Sequence, residues 1–222
     1  SFAKFIAVGE GGTILYSTDS KMWTPSTKIT PQNLNAIATN GSLAIAVGDN
    51  GAIVTSNNAI TWTVAKSVPT SSHIYGISYT SAGNWLAVGA GGTILTSGDG
   101  LTWTAQKSGS SADLKGVGSM TNFTNNVTSY QFIVVGANGT ILSSPDAITW
   151  TAQSANTTAN FNALSTTNQF LAVGSGGTVV ISLDGITWKS QASKTTANFT
   201  NLLRAQNMYI AVTNTGGIIY SK

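Results

Sequence analysis

Seven carboxylates, one histidine and no cysteine make up the chain's inventory for acid–base and metal-ligating chemistry: Glu10, Asp19, Asp49, Asp99, Asp113, Asp146, Asp184 and His73. A glycoside-cleaving pair needs two carboxyl groups within about 5–10 Å of each other. Four of the acids, Asp19, Asp99, Asp146 and Asp184, recur in one local context, Ser-x-Asp with a Trp shortly after, so they fall one per repeat and far apart. Glu10 and Asp49 occupy equivalent positions of successive repeats and are the pair that the pattern brings nearest. A lone histidine cannot assemble a three- or four-ligand metal cluster, and His73 reads as a loop or rim residue. The Gly-x-Gly strings are each followed by β-type residues and not by a helix, so they are turns and not phosphate or dinucleotide loops. The inventory predicts a chain that is not an enzyme and carries no cofactor and no metal.

Composition narrows the class further. Over 222 residues the charged fraction is 8%, the apolar fraction 41% and the net charge +3. That is too apolar for a disordered chain and too thinly charged for a nucleic-acid footprint. No apolar run approaches the roughly 18 residues of a membrane-spanning helix, so no membrane insertion is expected. The absence of cysteine removes disulfide frameworks and thiolate metal sites. A surface of Ser, Thr, Asn and Gly suggests a secreted or cell-surface setting.

The element that must position all of these residues is a repeat. Ala7-Val8-Gly9-Glu10-Gly11-Gly12-Thr13-Ile14 returns from Ala46 and from Ala87, and in variant form from Val134, Ala172 and Ala211. The conserved valine falls at positions 8, 47, 88, 135, 173 and 212. Between these marks lies Ser-x-Asp-Gly-x-Thr-Trp, cleanest at Ser97–Trp103 and Ser182–Trp188. Variant copies put Asp19 before Trp23, Asn58 before Trp62 and Asp146 before Trp150. Each unit holds four short β-type runs; in the fifth they are Phe161–Ser165, Gln169–Val173, Thr178–Ser182 and Ile186–Ser190. Gly-Gly or Asn-Gly supplies positive φ for one hairpin, and the Asp turn makes another. The second run is apolar without alternation, as for a strand covered on both faces. Repeated four-stranded antiparallel units of this length predict an all-β fold, a β-propeller spanning residues 1–222 as one domain. The chain opens on the second strand of a unit and closes after the third of another. Six blades with incomplete terminal blades are expected; the alternative is five, one of them closed by both chain ends. Open terminal strands would offer edges for homo-oligomer formation.

The Ser-x-Asp-Gly-x-Thr-Trp units resemble the Asp-box (BNR) repeat, and Ala-Val-Gly-x-Gly-Gly-Thr-Ile resembles the repeat of photosystem-assembly-factor (YCF48-like) and sialidase-like propellers. Sialidase likeness would imply an arginine triad on the substrate carboxylate, and this chain has one arginine, Arg204. The resemblance therefore implies the fold without the activity. In each turn, Asp19, Asn58, Asp99, Asp146 or Asp184 is expected to fix the backbone, and Trp23, Trp62, Trp103, Trp150 or Trp188 to pack between blades. One carboxylate per turn falls short of the six to eight oxygens that calcium takes.

Binding is then expected where the units differ. The loops Pro25–Asn33, Val64–His73, Ala105–Asp113, Ala152–Asn160 and Gln191–Asn198 should share a face with the Gly-Gly hairpins. Lys28, Lys66, Lys107 and Lys194 on these loops are candidates for contacting an anionic ligand, against the simpler reading that they solvate the surface. Trp85, the one tryptophan outside the repeat slot, is a candidate for sugar stacking, with core filling as its default. An insertion near Ser119–Tyr130 should project beside the Asp turns. Asn-x-Ser/Thr triplets at Asn40, Asn122, Asn126, Asn138, Asn156 and Asn198 are what a chain this rich in Asn and Thr produces by chance. The leading expectation is lectin-like recognition of a glycan through repeated sites. Alternatives are a protein-interaction scaffold and a degenerate glycosidase.

Overall fold

The computed structural model describes residues 5–124 and 126–221. They form six antiparallel sheets in a propeller ring, and the first and last sheets have three strands where the others have four. Blade 1 comprises β1 (Phe5–Val8), β2 (Ile14–Ser17) and β3 (Thr24–Pro25); blade 2 comprises β4 (Leu34–Thr39), β5 (Ala44–Gly48), β6 (Ile53–Ser56) and β7 (Thr63–Val64). Blade 3 is β8 (Ile74–Tyr79), β9 (Trp85–Gly89), β10 (Ile94–Ser97) and β11 (Thr104–Gln106). Blade 4 is β12 (Leu114–Thr124), β13 (Val127–Gly136), β14 (Ile141–Ser144) and β15 (Thr151–Gln153). Blade 5 is β16 (Phe161–Thr166), β17 (Phe170–Gly174), β18 (Val179–Ser182) and β19 (Lys189–Gln191), and blade 6 is β20 (Phe199–Ala205), β21 (Met208–Thr213) and β22 (Ile218–Tyr220). Among the described residues no blade is shared between the two chain ends; the six-blade expectation holds and the five-blade alternative does not.

The strands β4, β8, β12, β16 and β20 pack in series around the axis and are the innermost of their blades. The second strands β5, β9 and β17 are buried along their whole length, which accounts for their unbroken apolar sequence. Five apolar clusters hold the ring, one between each consecutive pair of blades. That between blades 2 and 3 joins Ile45 and Val47 to Ile74, Trp85 and Trp103; that between blades 4 and 5 joins Ile133 and Val135 to Phe161, Phe170 and Trp188. Among the described residues, no such cluster joins blade 6 to blade 1.

The hairpin after each second strand of blades 1 to 5 is a three-residue 3-10 turn. In blade 2 Asn50 and Gly51 both take positive φ, and a Cβ on Gly51 would lie 2.2 Å from the carbonyl oxygen of Thr70. The loop entering the next blade thus runs directly over the turn, and Gly51 donates to Ser72 O at 2.9 Å. This places the connecting loops on the hairpin face, as their spacing predicted. In blade 5 one strand boundary differs from expectation by more than one residue. The fourth strand of blade 5 begins at Lys189 and not at Ile186, because the amides of Ile186 and Thr187 are committed to Asp184.

Candidate functional site

The Asp turns are architecture. In each of five copies one side-chain oxygen accepts a serine hydroxyl and two backbone amides: for Asp184 these are Ser182 Oγ at 2.9 Å, Ile186 N at 2.8 Å and Thr187 N at 2.7 Å. Asp19, Asp99 and Asp146 repeat the arrangement, and Asn58 does so with its amide oxygen. The donated amides of Thr187 and Ile186 hold the Asp184 carboxyl down to about 2, and the same pair of amides lowers Asp19, Asp99 and Asp146. A carboxyl lowered in the folded state contributes stability that is complete above the ordinary carboxylate range and disappears as pH falls through the folded value. Thermal stability is therefore expected to drop on acidification from that range toward about 2. Asp184→Asn, which keeps the acceptor as Asn58 does, should flatten this dependence in thermal melts across the window.

The tryptophans that follow these turns pack into the inter-blade clusters at Trp62, Trp103, Trp150 and Trp188. Trp103 and Trp188 donate their indole N–H to Gly100 O and Gly185 O. Trp85 is fully buried against Tyr79, ring centroids 4.9 Å apart, so its face is in the core and not offered to solvent. Lys28, Lys66, Lys107 and Lys194 are all exposed, and none is ion-paired among the described residues. Lys28 lies over the Gly11 hairpin, whereas the Lys66 backbone is bonded to Leu101 O in the Asp turn of blade 3. The insertion lengthens the β12–β13 hairpin to the pair Thr124↔Val127, with Phe123 and Val127 exposed. Its base, at Gln131 and Ile133, adjoins Gly185 in the Asp turn of blade 5, the expected side.

A different group of residues converges on the axis. Each innermost strand carries a β-bulge at the same point, between Leu34 and Ala36, Ile74 and Gly76, Leu114 and Gly116, Phe161 and Ala163, and Phe199 and Asn201. A bulge adds one residue and re-aims its side chain. The residues added are Asn35, Tyr75, Lys115, Asn162 and Thr200, and together they line a central cavity of about 270 Å³. Small residues at the next position in blades 2 to 5 let neighbouring inner strands approach closely; a Cβ on Gly76 would lie 2.5 Å from Lys115 O. Asn162 donates to Phe199 O at 2.7 Å, and Asn35 to Ile74 O at 3.0 Å, tying neighbouring blades.

Charge concentrates on one side of this ring. Asp49 accepts from Asn35 Nδ2 and Asn33 Nδ2, both at 2.9 Å, and lies 3.0 Å from His73 Nδ1. The Asn35 and His73 contacts lower its pKa despite some burial. Asp49 is thus paired with histidine and amides, and Glu10 is not among its partners. Tyr75 has His73 stacked on it at 6.3 Å and the Lys115 ammonium 5.6 Å from its ring centroid, a cation–π distance. Burial, then the charges of Asp113 and Asp49, raise the Tyr75 phenol above its ordinary value. Sequence inspection by repeat marks passed over this ring, although its signal was present: apolar–polar–small–apolar recurs as Leu-Asn-Ala-Ile, Ile-Tyr-Gly-Ile, Leu-Lys-Gly-Val and Phe-Asn-Ala-Leu.

No protein-family model and no curated protein matches the chain in sequence. Solved structures do match in shape. YCF48 from Cyanidioschyzon merolae superposes with a TM-score of 0.70 at 14% identity, covering 98% of this chain and 78% of that one. YCF48 bound to D1 peptide gives 0.71 at 15%, covering 98% and 74%, and a chain of the mitotic checkpoint complex gives 0.71 at 9%, covering 99% and 75%. The likeness is one of fold. It establishes the propeller, while the Asp-box kinship stays a resemblance of motif. Two of these neighbours are structures bound to a peptide or assembled in a protein complex.

Proposed function

We propose that the chain is a non-catalytic binding module that takes a protein partner at the mouth of its central cavity, in a secreted or cell-surface setting. The observation that carries the reading is the ring of bulged residues, which lines one cavity with a partly buried Tyr75, the exposed Lys115 whose ammonium lies over its ring, and amide side chains. Such a mixture of aromatic, cationic and amide groups suits a peptide with its own carbonyls and side chains. Two neighbours in fold are structures with protein partners, one a D1 peptide and one a checkpoint assembly, which favours this reading over the lectin one. Sugar recognition at repeated inter-blade sites would also need the repeat tryptophans in solvent, and those after the first blade pack into the inter-blade clusters.

The test is a selection from a displayed random-peptide library on the folded protein. Selected peptides are expected to lose affinity about tenfold or more (1.4 kcal/mol) on Tyr75→Ala and on Lys115→Glu. Peptides that bind both variants as well as the wild type would place the site elsewhere. A glycan-array ligand lost on the same variants would return the carbohydrate reading.

A further inference from the structure

Among the described residues lining the central cavity, Lys115 alone carries a charge. Its ammonium has no ion-pair partner among the described residues, where the one pair joins His73 to Asp49. Two carboxylates, Asp49 and Asp113, act on Tyr75 from outside the lining. Both already hold donors. Asp49 accepts from Asn33 and Asn35 and pairs with His73, and Asp113 Oδ1 accepts Gly91 N at 3.0 Å. That last bond is a clasp between blades. Asn33, Asn160 and Asn198, each likewise just before an innermost strand, make it to Gly11 N, Asn138 N and Gly176 N at 2.8–2.9 Å. Because asparagine serves equally at three joints, the Asp113 oxygen is there for the joint and not for Lys115. The cavity also has donors to spare. Asn35 uses its amide nitrogen on both Asp49 and Ile74 O, but Asn162 uses one of its two amide hydrogens, on Phe199 O. The Tyr75 hydroxyl has no hydrogen-bond partner among the described residues, and Lys115 rests against its ring.

We infer that the partner reaches into this cavity with an aspartate or glutamate side chain, its carboxylate set against the Lys115 ammonium. The inference rests on the cavity-mouth reading and names the chemistry of the partner. A protein that covers the opening strips water from Lys115, and a desolvated ammonium without a counter-charge is strongly unfavourable. The chain offers no spare carboxylate in the lining, so the partner must bring one. An acceptor with two oxygens also takes the remaining donors, the Asn162 amide and the Tyr75 hydroxyl. At about 270 Å³ the cavity is smaller than the roughly 300–1,000 Å³ of sites for drug-sized ligands, so it admits a side chain and not a folded element.

The probes are three displayed random-peptide pools selected on the full chain. The first allows Asp and Glu and has no free C-terminus; the second is the same with Asn and Gln in place of the acids; the third is acid-free with free C-termini. Binders lost on Tyr75→Ala are expected from the first pool, with Asp or Glu at a shared position. In a synthetic peptide from that pool, changing the acid to its amide should weaken binding to the wild type about tenfold or more (1.4 kcal/mol). On Lys115→Gln the same change should cost less than about twofold, and Lys115→Arg should restore the preference for the acid. Lys115 is exposed, so Lys115→Gln should melt as the wild type does. Tyr75-dependent binders arising equally from the second pool overturn the inference and leave the cavity-mouth reading standing. Such binders from the third pool alone overturn the side-chain source in favour of a terminal carboxylate. An acid-to-amide loss equal on wild type and Lys115→Gln overturns the role of Lys115. Absence of Tyr75-dependent binders from every pool overturns the cavity-mouth reading and the inference together.

Discussion

Gly174→Ala is expected to lower the unfolding free energy by about 3 kcal/mol, read as a reduced urea midpoint at unchanged slope. The added methyl would lie 2.0 Å from Asn160 O and 3.0 Å from the Phe161 Cα. Neither can retreat cheaply. Asn160 O already accepts the Ser175 amide at 2.9 Å, and Asn160 Oδ1 accepts Asn138 N of the preceding blade at 2.8 Å. Displacing this segment would break a hydrogen bond within blade 5 and another to blade 4, and would shift Phe161 at the centre of an apolar cluster. Gly9→Ala, the same substitution in the same motif, meets nothing within 4 Å among the described residues. It is expected to change stability by no more than about 0.5 kcal/mol, as at an unremarkable surface position. Two glycines that the sequence cannot tell apart are thus separated by a large difference in cost.

Trp103→Ala should cost about 3–5 kcal/mol, the range for removing a large aromatic from a packed core. Trp103 is 3% exposed, packs with Ile45, Ile74, Trp85 and Leu95, and donates its indole N–H to Gly100 O at 3.2 Å. Trp23 holds the identical slot in blade 1 and is 41% exposed, and among the described residues no preceding blade covers its ring. Trp23→Ala is expected to cost about 1 kcal/mol or less, scaling with the smaller apolar area it removes from contact. Parallel chemical denaturation of the two variants measures the difference. Equal losses would mean that the tryptophan acts within its own turn and not between blades.

The contrast defines what repeat periodicity can reveal. Period, hairpin glycines and Asp turns are local properties: Asp184 binds amides two and three residues ahead, and Gly176 and Gly177 take positive φ within their own turn. Such features are legible because the residues that make them are neighbours in the chain. The channel ring was harder to see. Asn35, Tyr75, Lys115, Asn162 and Thr200 are of four residue types, and their common role comes from a bulge in the strand register. The four candidate lysines lie on loops of unequal length. The Lys28 side chain and the Lys66 backbone consequently sit over different neighbours, a hairpin in one case and an Asp turn in the other. Trp85 stood out in the sequence by being irregular, and it is one of the most deeply buried side chains, filling the place taken by Phe132 and Phe170 in other blades.

By itself, then, the sequence determined the all-β class, the repeating blade and the turn chemistry, because these depend on contacts a few residues apart. Tertiary structure decided which polar side chains meet at the axis, which tryptophans are covered, and which second-strand glycines lie against the backbone of an inner strand. The first two depend on groups some 40 residues apart in the chain, brought together only when one blade packs on the next. The third, as at Gly174 and Asn160, depends on the strands within a blade closing on each other.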